Sequence, residues 1–530
     1  DTNGWLDFCT SNGNDMDDDS NGVYFNRGGT LETVASWRSA DAGNFGHCYV
    51  GDVDNDGLPD LAVAYLGPST TGGMVARIYR NTGGTLGPAP WWRARDRHSS
   101  FDCALGDFDL DGDLDLVISA GDAYSSETDS ARIYRNNNGV FDTLPCWTAR
   151  DGPPSDAVRF ADADNDGDLD LFVGQVNPDA NWGKVVMYRN NAGVLETTPA
   201  WTARAGVGWV LRIELGDFDR DGFLDLAVAS NNQTGEPNSI KVFRNNAGTL
   251  DTLAAYTMLR SRRYSSCVAW GDANGDGYPE LAAGGWWEPV TVFENRAGVL
   301  DTIPTWSWSP SNPNNLVCEA LCWTEVNNDH LVSASEAFDG NGARKLFRAS
   351  HAPLAFLDSV SVNGVRVPFA QYCADPAGAW ASFASAPPPG FGNVVLHYRY
   401  STHSDLAVTN WVSSYGNHLF LNTTPVGVAE LEPVPADARL RAWPNPFRSN
   451  IRFSLTAPQA LDRPNTGALR ICNPAGRLVR TLAPRPSHPD PVLFVWDGRD
   501  ASGAAVTPGI YFARLDGSRQ GLKITRLGER

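Results

Sequence analysis

Five times along the chain, acidic residues recur at a spacing suited to binding a hard divalent cation. The pattern is D-x-D-x-D-G-x-x-D or a close variant, with copies beginning at Asp52, Asp107, Asp162, Asp217 and Asp272, a constant step of 55 residues. In such a loop the acids at positions one, three and five converge from a tight turn that glycine at position six permits. Residue seven offers its carbonyl, and the acid at position nine closes the shell. So many hard oxygen donors suit Ca2+. The expected ligands are Asp52, Asp54, Asp56 and Asp60, then Asp107, Asp109, Asp111 and Asp115. The third loop offers Asp162, Asp164, Asp166 and Asp170, and the fourth Asp217, Asp219, Asp221 and Asp225. The fifth carries Asp272, Asn274, Asp276 and Glu280, a weaker set because an amide replaces one acid. About five calcium sites are expected.

Asp, Asn and Gly also favour metal-free turns. Five copies in register, each crowding like charges that repel without a cation, favour the metal. Two degenerate loops flank the series. Glu325-Val326-Asn327-Asn328-Asp329 lacks the glycine and the closing acid and is expected to be empty, while Asp1-Thr2-Asn3-Gly4-Trp5-Leu6-Asp7 lacks its first ligand.

Short strands must position these loops. Each Asp loop runs into an apolar segment such as Asp115-Leu116-Val117-Ile118, then into an aromatic strand that usually ends in Asn. Examples are Tyr79-Arg80-Asn81, Tyr134-Arg135-Asn136, Tyr188-Arg189-Asn190 and Phe243-Arg244-Asn245. Gly- and Asn-rich turns separate the strands, and no helical periodicity is sustained. A four-stranded antiparallel unit repeated at this period fits a propeller blade, since radial repetition protects the sheet edges. The predicted class is all-β: a β-propeller of seven blades, with eight as the alternative, followed by a small immunoglobulin-like β-sandwich. The first blade lacks its opening strand, to be supplied by a later segment or another molecule, and Phe391 to Asn422 is the candidate. The expected divisions are a propeller over 1–350, a β insertion with strands that could close the propeller over 351–424, a Pro-rich linker over 425–436 and the sandwich over 437–530.

Composition bounds the function. The net charge of −20 lies in Asp clusters along the chain, which argues against nucleic acid as a partner. No apolar run is long enough to span a membrane. The chain opens at Asp1 without an initiator Met or a signal-like segment and reads as already processed. Nine cysteines show no zinc-type spacing, and their odd number leaves at least one thiol without an intramolecular disulfide.

The Asp loops and their period resemble the FG-GAP/VCBS family, the integrin-α-type propeller repeats. The resemblance spans about Asp1 to Ser350, and Phe45-Gly46 matches the name-giving dipeptide. It implies a calcium-binding propeller serving adhesion, recognition of a glycan or protein, or scaffolding. The C-terminal segment is a different module. Trp443-Pro444-Asn445-Pro446-Phe447, Gly476-Arg477-Leu478-Val479-Arg480, Trp496-Asp497-Gly498-Arg499-Asp500 and Gly509-Ile510-Tyr511-Phe512 resemble the FlgD-like, Por-type sorting domain of type IX secretion. That resemblance implies export to the outer cell surface or beyond.

Trp37, Trp92, Trp147, Trp201, Tyr256 and Trp306 recur at the repeat period and read as packing between blades. Trp286-Trp287 and Trp91-Trp92 break that rhythm and are better placed for glycan stacking. No nucleophile and base, zinc spacing or phosphate loop stands out, so no enzyme is expected. Three readings remain open: a surface recognition protein, an extracellular fibre or layer subunit joined by strand donation, and a disfavoured propeller hydrolase or lyase.

Overall fold

The computed structural model describes residues 1–13, 18–66, 75–121, 129–150, 154–177, 182–204, 208–231, 239–259, 264–412, 415–423, 439–448, 450–456, 469–473, 478–482, 492–500, 504–515 and 521–527. The chain forms two compact units, Asp1–Thr424 and Pro425–Arg530. The Pro-rich linker expected over 425–436 lies outside the described residues. Among those residues no helix is long and apolar enough to cross a membrane.

The first unit is a β-propeller made of small antiparallel sheets. Five have four strands in simple meander order, and Phe45–Gly51, Asp60–Tyr65, Arg77–Tyr79 and Trp92–Arg93 form the earliest of them. After its opening acid the second strand of each is mostly apolar because it is covered on both faces. Asp60–Tyr65 and Asp225–Asn231 are buried at every position. The outermost strand is often only two residues long, as at Trp147–Thr148, which leaves little open edge.

Three repeated contacts join neighbouring sheets. Glycine ends the innermost strand just before most Asp loops, and the next sheet packs directly on it. A Cβ at Gly216 would stand 2.6 Å from Trp270, and one at Gly271 would stand 2.3 Å from Trp323. The periodic aromatics meet the third-strand aromatic of the following sheet edge-on: Trp37 on Tyr79 at 5.6 Å, Trp92 on Tyr134 at 5.3 Å and Trp147 on Tyr188 at 5.1 Å. They are therefore packing residues. The Asn that ends most of the aromatic strands donates back to the preceding sheet's Asp loop, whereas Asn81 donates to Pro59 in the loop of its own sheet. Asn136 reaches the Val53 carbonyl at 2.6 Å, and Asn190, Asn245, Asn295 and Asn422 reach Phe108, Ala163, Phe218 and Ala273 at 2.7 Å each.

The two ends of the repeat differ from the middle. The first sheet has three strands, Phe8–Thr10, Asp19–Tyr24 and Trp37–Gly43, and among the described residues Phe8–Thr10 is paired on one side only. The last consists of Leu321–Thr324, Asp405–Val408 and His418–Phe420. The strands within Phe391 to Asn422, expected to complete the first blade, thus divide differently. Asp405–Val408 and His418–Phe420 pair with Leu321–Thr324, whereas Gly390–Ser401 pairs with Leu331–Gly340 and Phe356–Val362.

Residues between Leu331 and Ser401 form an insertion that interrupts the last sheet after its innermost strand. It holds two further sheets around Phe347, Val360, Tyr372, Phe383, Leu396 and Tyr398. The insertion rests on the Asp-loop face. Lys345 Nζ donates to the Leu110 carbonyl at 2.7 Å, Arg348 donates to the Gly222 carbonyl at 2.7 Å, and the Tyr49 hydroxyl donates to Asp375 at 2.8 Å.

The second unit packs two antiparallel sheets on one core. Arg439–Trp443, Ile451–Thr456 and Val492–Trp496 form one; Leu478–Leu482, Leu469–Cys472, Gly509–Leu515 and Gly521–Arg526 form the other. Phe447, Phe453, Phe494, Trp496, Tyr511 and Ile524 fill the space between them.

Candidate metal centres

Each Asp loop is shaped by its own first and last acids. Asp52 accepts from the amides of Asp56 at 3.0 Å and Gly57 at 2.7 Å; Asp107 does the same for Asp111 and Gly112, and Asp217 for Asp221 and Gly222. Glycine at position six has φ of 90° to 99° at Gly57, Gly112, Gly167 and Gly222, a region that side chains disfavour. The closing acid ties the loop to the sheet. Asp60 accepts from Val53 N at 3.0 Å and Asn81 N at 2.6 Å, and Asp115 and Asp225 repeat the arrangement.

The expected ligands come together in part. Potential ligand atoms lie within 4.8 Å of one another for Asp52, Asp54 and Asp60, for Asp107, Asp109 and Asp115, for Asp162, Asp164 and Asp166, and for Asp217, Asp219 and Asp225. Position five stands apart in three loops, where Asp56, Asp111 and Asp221 accept from amides two residues ahead. In the third loop it is Asp170 that falls outside the group. Asp272, Asp276 and Glu280 form no such group among the described residues, and Asn274 donates to Glu280 at 3.0 Å.

Sequence reasoning assigned no role to an arginine that enters four of these loops. It lies between the aromatic and the Asn of the third strand, visible in the repeated Tyr-Arg-Asn. Arg80 pairs with Asp54 and Arg189 with Asp164, while Arg135 meets Asp109 at 2.8 Å and Arg244 meets Asp219 at 3.2 Å. Each arginine engages one carboxylate oxygen at position three. The other oxygen, Oδ1 of Asp54, Asp109 and Asp219, is buried with no hydrogen-bond partner, as is Oδ1 of Asp162.

These orphaned oxygens test whether the loops fit calcium, and they do. One arginine cannot balance three or four acids, and the oxygens it leaves bare are the hard donors that Ca2+ takes. Burial, then neighbouring acids, push the carboxyls up: Asp52 to about 6, Asp107 and Asp170 to about 7, and Asp225 to about 8. A bound cation would reverse that crowding.

The degenerate loop at Glu325 to Asp329, sixth in the series that starts at Asp52, holds a different set. Its missing closing acid is supplied by Asp405 from beyond the insertion, which accepts from Val326 N at 2.9 Å and Asn422 N at 2.7 Å. Potential ligand atoms of Glu325, Asp329 and His330 lie within 4.8 Å of one another, so the loop expected to be empty brings three donors together.

Two cavities lie in the same unit. One of about 640 Å³ is bordered by Phe8–Thr10, by Phe45 to Cys48, by Glu319 to Cys322 and by Trp411. The other, about 200 Å³, lies between the Asp-loop ends of the inner strands and the insertion, and Arg212 and Cys322 border both. Arg212 belongs to a buried network in which Asp102 meets Arg159 at 2.8 Å, His47 at 3.1 Å and Arg212 at 3.4 Å.

The FG-GAP-like repeat family matches residues 1–63 and 217–283, in agreement with the loops at both places. The chain is therefore an all-β propeller protein carrying FG-GAP-like repeats. No curated protein matches it. Among solved structures, the Dos1 propeller is 9% identical with a TM-score of 0.33, covering 89% of this chain and 91% of its own. An exo-beta-1,3-galactanase from Phanerochaete chrysosporium, bound to beta-1,3-galactotriose, is 9% identical with a TM-score of 0.30, covering 69% of this chain and 99% of its own. Likeness this slight assigns neither fold nor activity.

Proposed function

We propose that this chain is a secreted, calcium-stabilised seven-bladed propeller that recognises a glycan or protein outside the cell and is not an enzyme. The observation that carries the reading is the recurrence of buried, partnerless carboxylate oxygens in register along the repeat. Calcium would be held by Asp52, Asp54 and Asp60, by their counterparts in the second and fourth loops, and by Asp162, Asp164 and Asp166 in the third. By holding the loops it would also hold the insertion, whose Lys345 and Arg348 grip loop carbonyls. The two-sheet C-terminal unit is read as the sandwich-type sorting domain, on its sequence motifs.

The insertion covers part of the Asp-loop face, which directs attention to the larger cavity for ligand binding. Beside it Trp286 stacks on Trp411 at 6.3 Å and on Tyr264 at 6.5 Å, with Trp287 adjoining. All four rings are half-buried, a state that leaves aromatic surface for a sugar face. The test is a glycan panel probed with calcium-loaded full chain and with Trp411→Ala. Binding that the substitution removes supports recognition; turnover of any polysaccharide on the panel would overturn the non-enzymatic reading.

A fibre or layer subunit is the second reading. It is favoured by one observation, that Phe8–Thr10 presents an unpaired edge to the larger cavity. Ordered assemblies seen by electron microscopy of the calcium-loaded protein would put it first.

A further inference from the structure

The sixth loop has lost the all-oxygen pattern of the others, yet three of its side chains still converge. His330 Nδ1 stands 2.5 Å from Asp329 Oδ1 and 3.9 Å from Glu325 Oε2, so one imidazole nitrogen faces two carboxylates. A second imidazole adjoins it, with the rings of His330 and His403 4.9 Å apart. Glu325 is fully buried, and while its Oε2 accepts from Ser401 at 2.7 Å, its Oε1 has no partner. Burying a bare carboxylate oxygen costs free energy unless something meets it.

The surroundings position this set. Asp405, just beyond His403, occupies the closing position and fixes the loop through Val326 and Asn422. His403 lies against the fifth Asp loop at Gly275, where a Cβ would stand 2.4 Å from its ring. The equivalent positions in the preceding loops are Asn55, Leu110, Asn165 and Arg220, so the fifth loop alone among these carries the residue that leaves room for the imidazole.

We propose that Glu325, Asp329 and His330, with His403 as a fourth donor, form a binding site for a first-row transition metal such as Zn2+, distinct from the calcium loops. Mixed imidazole and carboxylate donors suit zinc and its neighbours, whereas Ca2+ prefers more ligands, all of them oxygen. Three residues come from the loop just before the insertion and His403 from just after it. The metal would therefore clamp together the two ends of the insertion.

The test is a titration of the full-length chain with Co2+, a spectroscopic stand-in for Zn2+, in excess Ca2+ so that the Asp loops are already filled. The expected result is one equivalent of cobalt with a visible ligand-field band and no thiolate charge-transfer band. Asp329→Asn, at a carboxylate 46% exposed and so tolerated by the fold, should abolish the signal, as should His330→Gln. His403→Ala should weaken it, and Zn2+ should displace the cobalt. A melting temperature for Asp329→Asn equal to that of the parent shows that the loss is not unfolding. The proposal is overturned if no cobalt binds in excess calcium, if the band survives Asp329→Asn, or if it reports cysteine ligation. Because calcium is saturating throughout, these outcomes do not depend on how tightly the Asp loops hold it.

Discussion

Asn26 Nδ2 donates to the carbonyl of Val326 at 2.8 Å across 300 residues of chain. It is the same bond by which Asn136, Asn190, Asn245, Asn295 and Asn422 join their sheets to the one before, here joining the first sheet to the last. The sequence repeat thereby becomes a closed succession of sheets, with an asparagine side chain marking every joint except that between the first sheet and the second.

Removing such a joint should be costly. Asn136 also donates to the Leu114 carbonyl at 3.1 Å, so Asn136→Ala strands two buried acceptors, Val53 O and Leu114 O. A loss of about 1–3 kcal/mol is expected in denaturant unfolding. A change within error would show that the joint is dispensable.

Chelated protein should be most stable in mild acid. Asp60 is pushed up to about 7 and Glu280 to about 8, first by burial, so in the calcium-free fold these groups bind protons more tightly than in the unfolded chain. Their contribution is complete below the unfolded pKa of about 4 and is lost as pH rises toward about 8. The melting temperature in EGTA should therefore fall across that window, and calcium should reverse the trend at neutral pH. A flat profile in EGTA would contradict the crowding.

The central network should behave in the opposite way. Burial raises Asp102, but Arg159 and Arg212 outweigh it and hold its carboxyl well below the ordinary range. Its stabilisation is present above about pH 4 and is lost only as pH falls through that depressed folded value. Asp102→Ala at pH 7 leaves Arg159 buried beside fewer carboxylates and is expected to cost about 3–5 kcal/mol. A melting temperature unchanged from the parent would sink this assignment.

Cys267 and Cys318 should cross-link. Their sulfurs are 3.2 Å apart, and Gly284 makes the room, since a Cβ there would stand 2.6 Å from Cys318 Sγ. With oxidised glutathione, the two thiols give up two protons and two electrons to form a disulfide, and the glutathione disulfide becomes two thiols. A non-reducing peptide map should show the linked pair, absent in Cys267→Ser. Recovery of both thiols alkylated after such treatment would refute it.

What was legible in the sequence was what repeats. The period exposed the loops, the strand order and the packing role of Trp37 and Trp92, because each is copied at a fixed step. The arginines on the position-three acids were equally periodic but went unassigned, since nothing in a linear pattern says that Arg135 folds back onto Asp109. The sixth loop was legible only in part, for another reason. Its closing acid, Asp405, follows an insertion as large as a small domain, and local spacing cannot see across it. The strands after Asp405 were noticed, but which sheet they joined depended on pairing with Leu321–Thr324, a contact between distant segments.

The central claim is that the Asp loops hold calcium and that calcium holds the fold. Its most direct test is to exchange the native full chain into calcium-free buffer, measure bound calcium during back-titration, and follow melting temperature at each step. The account predicts at least four equivalents, one for each of the first four loops, with melting temperature rising as they fill and one equivalent lost in Asp109→Asn. Calcium-free protein that melts at the same temperature as loaded protein, or that binds no calcium, would contradict it.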